Sequence, residues 1–429
     1  MTPPPIGVRA LALLLLIPAG AGAQALPETD ECISCHRTLE DSALASPAVT
    51  YAEDVHAQRG FGCLVCHGGP VTARGTLDPA TGFLSRPDRR EIPALCGRCH
   101  SDGAFMRDFN PAIRIDQVSE YYTSVHGRLL RDENDPDVAT CVDCHPAHEI
   151  RPPSDPESSV HALRVAELCG SCHADESLME RRGLATDQLD EFRGSIHGQI
   201  LFEEEDLSAP TCNDCHGNHG AAPPEVASVR NVCGQCHTTM AQFFDESGHV
   251  EIFREEDLPG CATCHDNHAI ERTEDEDLAT RTRTVCHDCH AEDEPEGHEL
   301  LAMAELLDSL GTEHRRAEAV LLEAENLGME VSQAIFELEE VNNALTMART
   351  AIHSFHVGPV EEELAAGFAI TDEAIDRGAD ALNEHRMRRL GLAASTATTL
   401  VLIIGLATMI RRMERADRSA PANAQERRR

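Results

Sequence analysis

A chain of 429 residues has room for two or three domains, yet it holds no tryptophan, three tyrosines and 3% aromatic residues. That composition excludes an ordinary aromatic-rich core, so apolar bulk must come from elsewhere or be spread over small modules. The formal net charge of -38, from 74 acidic against 36 basic side chains, argues against nucleic acid or anionic lipid binding by the main body and favours a well-solvated surface or a cationic partner.

The first 25 residues carry Arg9, an apolar run from Ala10 to Ile17, Pro18 and the small-residue stretch AGAGAQA. This pattern predicts a secretory signal over 1-25, cleaved near Ala23 or Ala25, because its apolar core is too short for a permanent anchor. The mature protein is therefore expected outside the cytoplasm.

Next comes C-x-x-C-H, nine times over: Cys32, Cys35 and His36; Cys63, Cys66 and His67; Cys96, Cys99 and His100; Cys141, Cys144 and His145; Cys169, Cys172 and His173; Cys212, Cys215 and His216; Cys233, Cys236 and His237; Cys261, Cys264 and His265; Cys286, Cys289 and His290. These motifs consume all eighteen cysteines. The spacing lets two thiols reach the two vinyl groups of one porphyrin while the adjacent imidazole reaches its iron. Paired C-x-x-C units can also build zinc sites or disulfides, but neither needs a histidine after every second cysteine.

On these residues the stretch from 30 to 290 resembles the multihaem c-type cytochromes with doubled C-x-x-C-H repeats. The resemblance implies nine covalently held haems c in a domain over 26-295, supplying most of its apolar core and coupling folding to their insertion. Segments between the motifs, such as RPPSDPESS and ERTEDEDLAT, are rich in Pro, Gly and acidic residues. The expected fold is mainly α with extensive irregular loops and little sheet.

The motifs form a repeat in which a lone histidine precedes a doublet. His126 precedes the Cys141 and Cys169 motifs, His197 those at Cys212 and Cys233, and His249 those at Cys261 and Cys286. A looser first copy has His56 before Cys63 and Cys96, leaving the Cys32 motif as an N-terminal extra. In the last three copies the first motif is extended to C-x-x-C-H-x-x-H, giving His148, His219 and His268. Pro70 stands at that position in the first copy, so one haem there must find a ligand elsewhere or remain open. Recurrence makes His56, His126, His148, His197, His219, His249 and His268 candidate second axial ligands. His353 and His356, at helical spacing and so expected on one helix face, are candidates for the remaining irons. His161, His298, His314 and His385 are reserves, and His287 lies inside its own motif.

From Glu296 to Gly358 there is no Pro or Cys, and apolar residues recur at helical intervals, as in Leu300, Met303, Leu307 and Leu310. Gly311 and Gly328 are potential weak points. Gly358 and Pro359 are expected to end this helix, with Gly358 as a left-handed cap, and a second helix to follow from Val360. The prediction is a helical hairpin over 296-389 that either stiffens a stalk or donates histidines to haems. Residues 390-410 carry no charge and are long enough to span a bilayer. With the body translocated, the basic tail over 411-429 is expected in the cytoplasm.

The expected function is electron transfer through nine haems at the periplasmic face of the inner membrane, between a quinol-oxidising membrane complex or other redox proteins. The alternative is a reductase of the nitrite, hydroxylamine or tetrathionate type that uses one haem with an open site. Every motif ends in His and histidines are in surplus, which favours the relay.

Overall fold

The structure is a computed structural model that describes residues 31-69, 82-278, 285-291 and 293-418. The expected signal sequence, Pro70 and residues 419-429 of the basic tail lie outside them. The chain is mainly helical, at 69%, with no strand among the described residues. It divides into two units, residues 1-225 with 266-271 and residues 226-265 with 272-429. The division falls inside the last repeats rather than at 295, because part of the last repeat packs on the C-terminal helices: Phe243, Leu278 and Cys286 lie against their core.

In the first unit the C-x-x-C-H motifs take two local forms. The first motif of a doublet starts a helix of four or five residues, as in Cys63–His67, Cys141–Cys144 and Cys212–His216. In Cys141–Cys144 and Cys212–His216, Thr140 with Asp143 and Thr211 with Asp214 form capping boxes, so the residue inside the motif serves the helix start. The second motif instead ends a longer helix, as in Ile92–His100 and Ala162–His173.

His56, His126 and His197 sit in the first turn of a short helix whose N-cap side chain is Asp54, Ser124 or Ser195, whereas His249 starts its helix after Gly248. In two copies a glycine follows the histidine for a steric reason. A Cβ on Gly127 would lie 1.9 Å from the Tyr121 carbonyl oxygen, and one on Gly198 would lie 2.0 Å from that of Phe192. The apolar cluster of this unit joins only Tyr121, Leu130 and Val138 as buried members.

The second unit contains the long helices. Pro295–Asn326 runs through Gly311 without a break and ends at a turn where Gly328 has φ 78°. Ser332–Leu338 and Glu340–Ala351 return, and Val357–Arg418 follows. The expected hairpin is thus three helical runs, because Gly328 supplies a second reversal. The left-handed residue of the later turn is Phe355, with φ 59°, whereas Gly358 and Pro359 lie in the first turn of the following helix. Proline is tolerated there because the missing N–H would have no intrahelical partner. Leu307, Leu310, Leu321, Val341, Val360 and Leu364 are wholly buried between these helices. Val357–Arg418 is long and apolar enough to cross a membrane, and its most apolar stretch is entirely unburied by protein.

Candidate metal centres

Imidazole binds metal at about 2 Å, so two rings on opposite sides of one iron place their centroids about 6 Å apart. That spacing recurs. His67 and His148 lie 6.0 Å apart with ring planes at 3°, and His145 and His219 6.3 Å apart at 22°. His216 and His268 are 5.9 Å apart at 19°, and His265 and His353 6.1 Å apart at 30°. A second set is crossed: His56 and His100 at 6.0 Å and 86°, His126 and His173 at 6.2 Å and 59°, His249 and His290 at 5.9 Å and 78°.

The two sets follow the sequence register. His56, His126 and His249 each face the proximal ring of the second motif in their own doublet, with planes crossed. A C-x-x-C-H-x-x-H histidine faces the first motif of the preceding doublet, with planes nearly parallel. His353 takes that place for the last doublet, where no later repeat exists to supply it. Both proximal rings of the first copy therefore have partners: His67 meets His148 from the next repeat and His100 meets His56. His36 faces no other imidazole among the described residues.

Hydrogen bonds at Nδ1 turn several of these rings so that Nε2 is left for a metal. His36 bonds Leu44 O at 2.9 Å, His67 bonds Leu84 O at 2.6 Å, and His353 bonds Thr350 O at 3.1 Å. His56 bonds the carboxylate of Asp54 at 2.9 Å. Asp54 also accepts from the backbone N–H of His56 and of Ile150, at 2.8 Å each. Burial works to raise the Asp54 carboxyl, but these bonds outweigh it and hold it below its usual range. Burial lowers the pKa of His100, His145, His173 and His265, and of His126, His148, His219, His249, His268 and His353. It thereby favours the neutral imidazole that a metal requires.

A backbone tie joins the two kinds of histidine. Val55 N–H donates to Ile150 O, Val125 N–H to Ala221 O and Ile196 N–H to Ile270 O, at 2.9, 3.1 and 2.8 Å. In each case the donor precedes a lone histidine and the acceptor lies two residues after an extension histidine. In the last copy Phe355, two residues after His353, packs on His249 with ring centroids 4.0 Å apart and planes tilted by 43°. The pattern of Ser or Asp two residues before a lone histidine was visible in the sequence; the backbone ties left no side-chain signal.

Successive motifs also approach one another. Interaction between neighbouring thiols, Cys96 with Cys141, Cys169 with Cys212 and Cys233 with Cys261, holds Cys96, Cys212 and Cys233 below the usual thiol range and pushes their partners up. Burial, with Cys286 and Cys289 nearby, pushes the Cys264 thiol up to about 11. Burial together with Asp143 and Cys172 raises Cys144, and burial together with Cys96 raises Cys66. All eighteen thiols are unbridged. None joins a cluster of three or more ligating groups among the described residues, so neither disulfides nor four-thiolate zinc sites are assembled. The thiol pairs beside facing imidazoles fit haem c.

Other histidines differ. His356 is exposed and follows the turn at Phe355, so it shares no helix face with His353, which lies in the short Ile352–Ser354 turn. His161 caps the Ala162–His173 helix, and His287 bonds the carbonyl of His290 at 3.2 Å. His197 lies in the first turn of Ile196–Glu203, at the register of the other lone histidines.

Residues 253-295 match the family model described as the doubled CXXCH motif, which covers the Cys261 and Cys286 motifs. No curated protein and no solved structure matches the chain. The matched motif supports a c-type-cytochrome-like multihaem protein.

Proposed function

We propose that the chain is a nine-haem electron carrier, held at the periplasmic face of the inner membrane by residues 390-410. The facing imidazole pairs carry this reading. A histidine on both sides leaves no position for substrate and keeps the ligand shell unchanged when an electron arrives. Haem supplies the redox-active iron. The chain's own residues fix each ring's orientation, exclude water and set the local charge.

The order of approach among the thiols supports conduction along the sequence. The Cys63 motif neighbours that at Cys96, which neighbours Cys141, then Cys169, then Cys212; the Cys233, Cys261 and Cys286 motifs continue likewise. Electrons would enter from a quinol-oxidising membrane complex or another redox protein and leave to a second redox partner.

Intact mass of the purified protein should report nine attached haems, and reductive titration should take up nine electrons per chain. Fewer attached haems, or irons that stay oxidised under exhaustive reduction, would contradict this reading.

A further inference from the structure

The register of ligand pairs leaves one motif without a second histidine, and it is not the one suggested by Pro70. An extension histidine faces the first motif of the doublet before its own. A histidine at position 70 would therefore need a doublet before the first, and none exists. The second motif of each doublet relies on the lone histidine that precedes that doublet. By this rule the Cys32 motif would need a lone histidine upstream, and the sequence has none before His36.

We infer that the haem at Cys32 and Cys35 has His36 as its sole protein ligand and keeps an open sixth position for a small neutral diatomic molecule. The inference rests on the proposed haem loading and adds a ligand site to it.

The histidine inventory is complete on this point, because all 23 histidines lie among the described residues. His36 faces none of them, while His197 stands before the Cys212 and Cys233 doublet as His126 stands before its own. His161, the surplus histidine of the same unit, is buried as the N-cap of the Ala162–His173 helix. Lysine is absent from the entire chain, and methionine, whose thioether is the other common haem ligand, is absent between residues 2 and 105. His36 Nδ1 bonds Leu44 O and leaves Nε2 for a metal, as at the paired rings. Among the described residues no imidazole faces it.

Local charge selects among ligands. Glu31, Glu40 and Asp41 around the Glu31–His36 helix are exposed, and the nearby Arg37 is engaged by the Ala48 carbonyl at 3.0 Å. With a net charge of -38 behind them, an anion such as nitrite is repelled, whereas carbon monoxide or nitric oxide is not.

Carbon monoxide is the probe. With intact mass first showing nine haems, the dithionite-reduced protein should bind one carbon monoxide per chain, and the oxidised protein should show one high-spin iron by electron paramagnetic resonance. The Cys32→Ala/Cys35→Ala variant should lose one haem, the high-spin signal and the carbon monoxide adduct together. Nine haems with no adduct, or an adduct that persists in that variant, would overturn the inference. A wild-type count below nine would instead overturn the proposed loading.

Discussion

The cysteine-rich body and the C-terminal helices solve the burial problem in opposite ways. The helices hold a continuous core in which Leu307, Leu310, Leu321 and Leu364 are fully buried. The contiguous apolar cluster of the first unit has three buried members, Tyr121, Leu130 and Val138. Full burial of a leucine contributes about 1.5 to 3 kcal/mol, so the helices can be stable from their own side chains. The first unit has far less of such a core, and its facing imidazoles mark where haem would supply the rest. One chain thus holds a region with a continuous side-chain core and a region without one.

The largest effect that would break this comparison is removal of haem. Full-length chain produced without haem attachment should lose its protease resistance over residues 31-290 while the region from 295 to about 418 survives. Equal resistance in both regions, read by mass spectrometry of the digest, would contradict the contrast.

A smaller but still severe effect is expected at the glycine that follows a lone histidine. Gly127→Ala or Gly198→Ala drives a Cβ to within 2.0 Å of a backbone carbonyl, which something must move to accommodate. Each should cost about 3 kcal/mol or more, measured as a lower unfolding midpoint of the loaded protein, whereas alanine at the exposed Gly358, with nothing within 4 Å, should cost about 1 kcal/mol or less.

The two regions meet in function at His353. Replacing His353 by Ala should turn one iron from low to high spin while intact mass still reports every haem, since the cysteines are untouched. His356→Ala should leave the spectrum unchanged. If the two variants behave alike, the helical region does not complete the last repeat.

The smallest effect concerns tuning. The Asp54 carboxylate on His56 makes that ring a stronger electron donor than the rings whose Nδ1 meets a carbonyl. Asp54→Asn should move one midpoint potential upward by about 40 mV, the equivalent of about 1 kcal/mol for one electron, in a spectroelectrochemical titration. A fall in that potential would reject the assignment.

Much of this was legible in the sequence. The C-x-x-C-H motifs, the recurrence of His126 as His197 and His249, and of His148 as His219 and His268, are matters of spacing. The helical periodicity after Glu296 and the charge-free run over 390-410 are equally plain. What spacing cannot give is which ring meets which. His148 and His67 are 81 residues apart in sequence, and their meeting depends on ties such as Val55 N–H to Ile150 O, which involve backbone atoms that every residue carries. Gly358 is the obvious left-handed residue, yet Phe355 adopts that conformation and packs on His249, a gain that propensity does not register.

The two kinds of histidine build two kinds of site, crossed and nearly parallel, in alternation along the chain. Parallel imidazole planes split the iron π orbitals strongly, whereas crossed planes leave them nearly degenerate and so give a much larger g anisotropy. Low-temperature electron paramagnetic resonance of the fully oxidised, haem-loaded protein tests this directly. The expected spectrum contains two low-spin classes, one rhombic and one highly anisotropic, with His148→Ala, His219→Ala and His353→Ala depleting the rhombic class and His126→Ala and His249→Ala the anisotropic one. A single low-spin class, or depletion that ignores this division, would contradict the account.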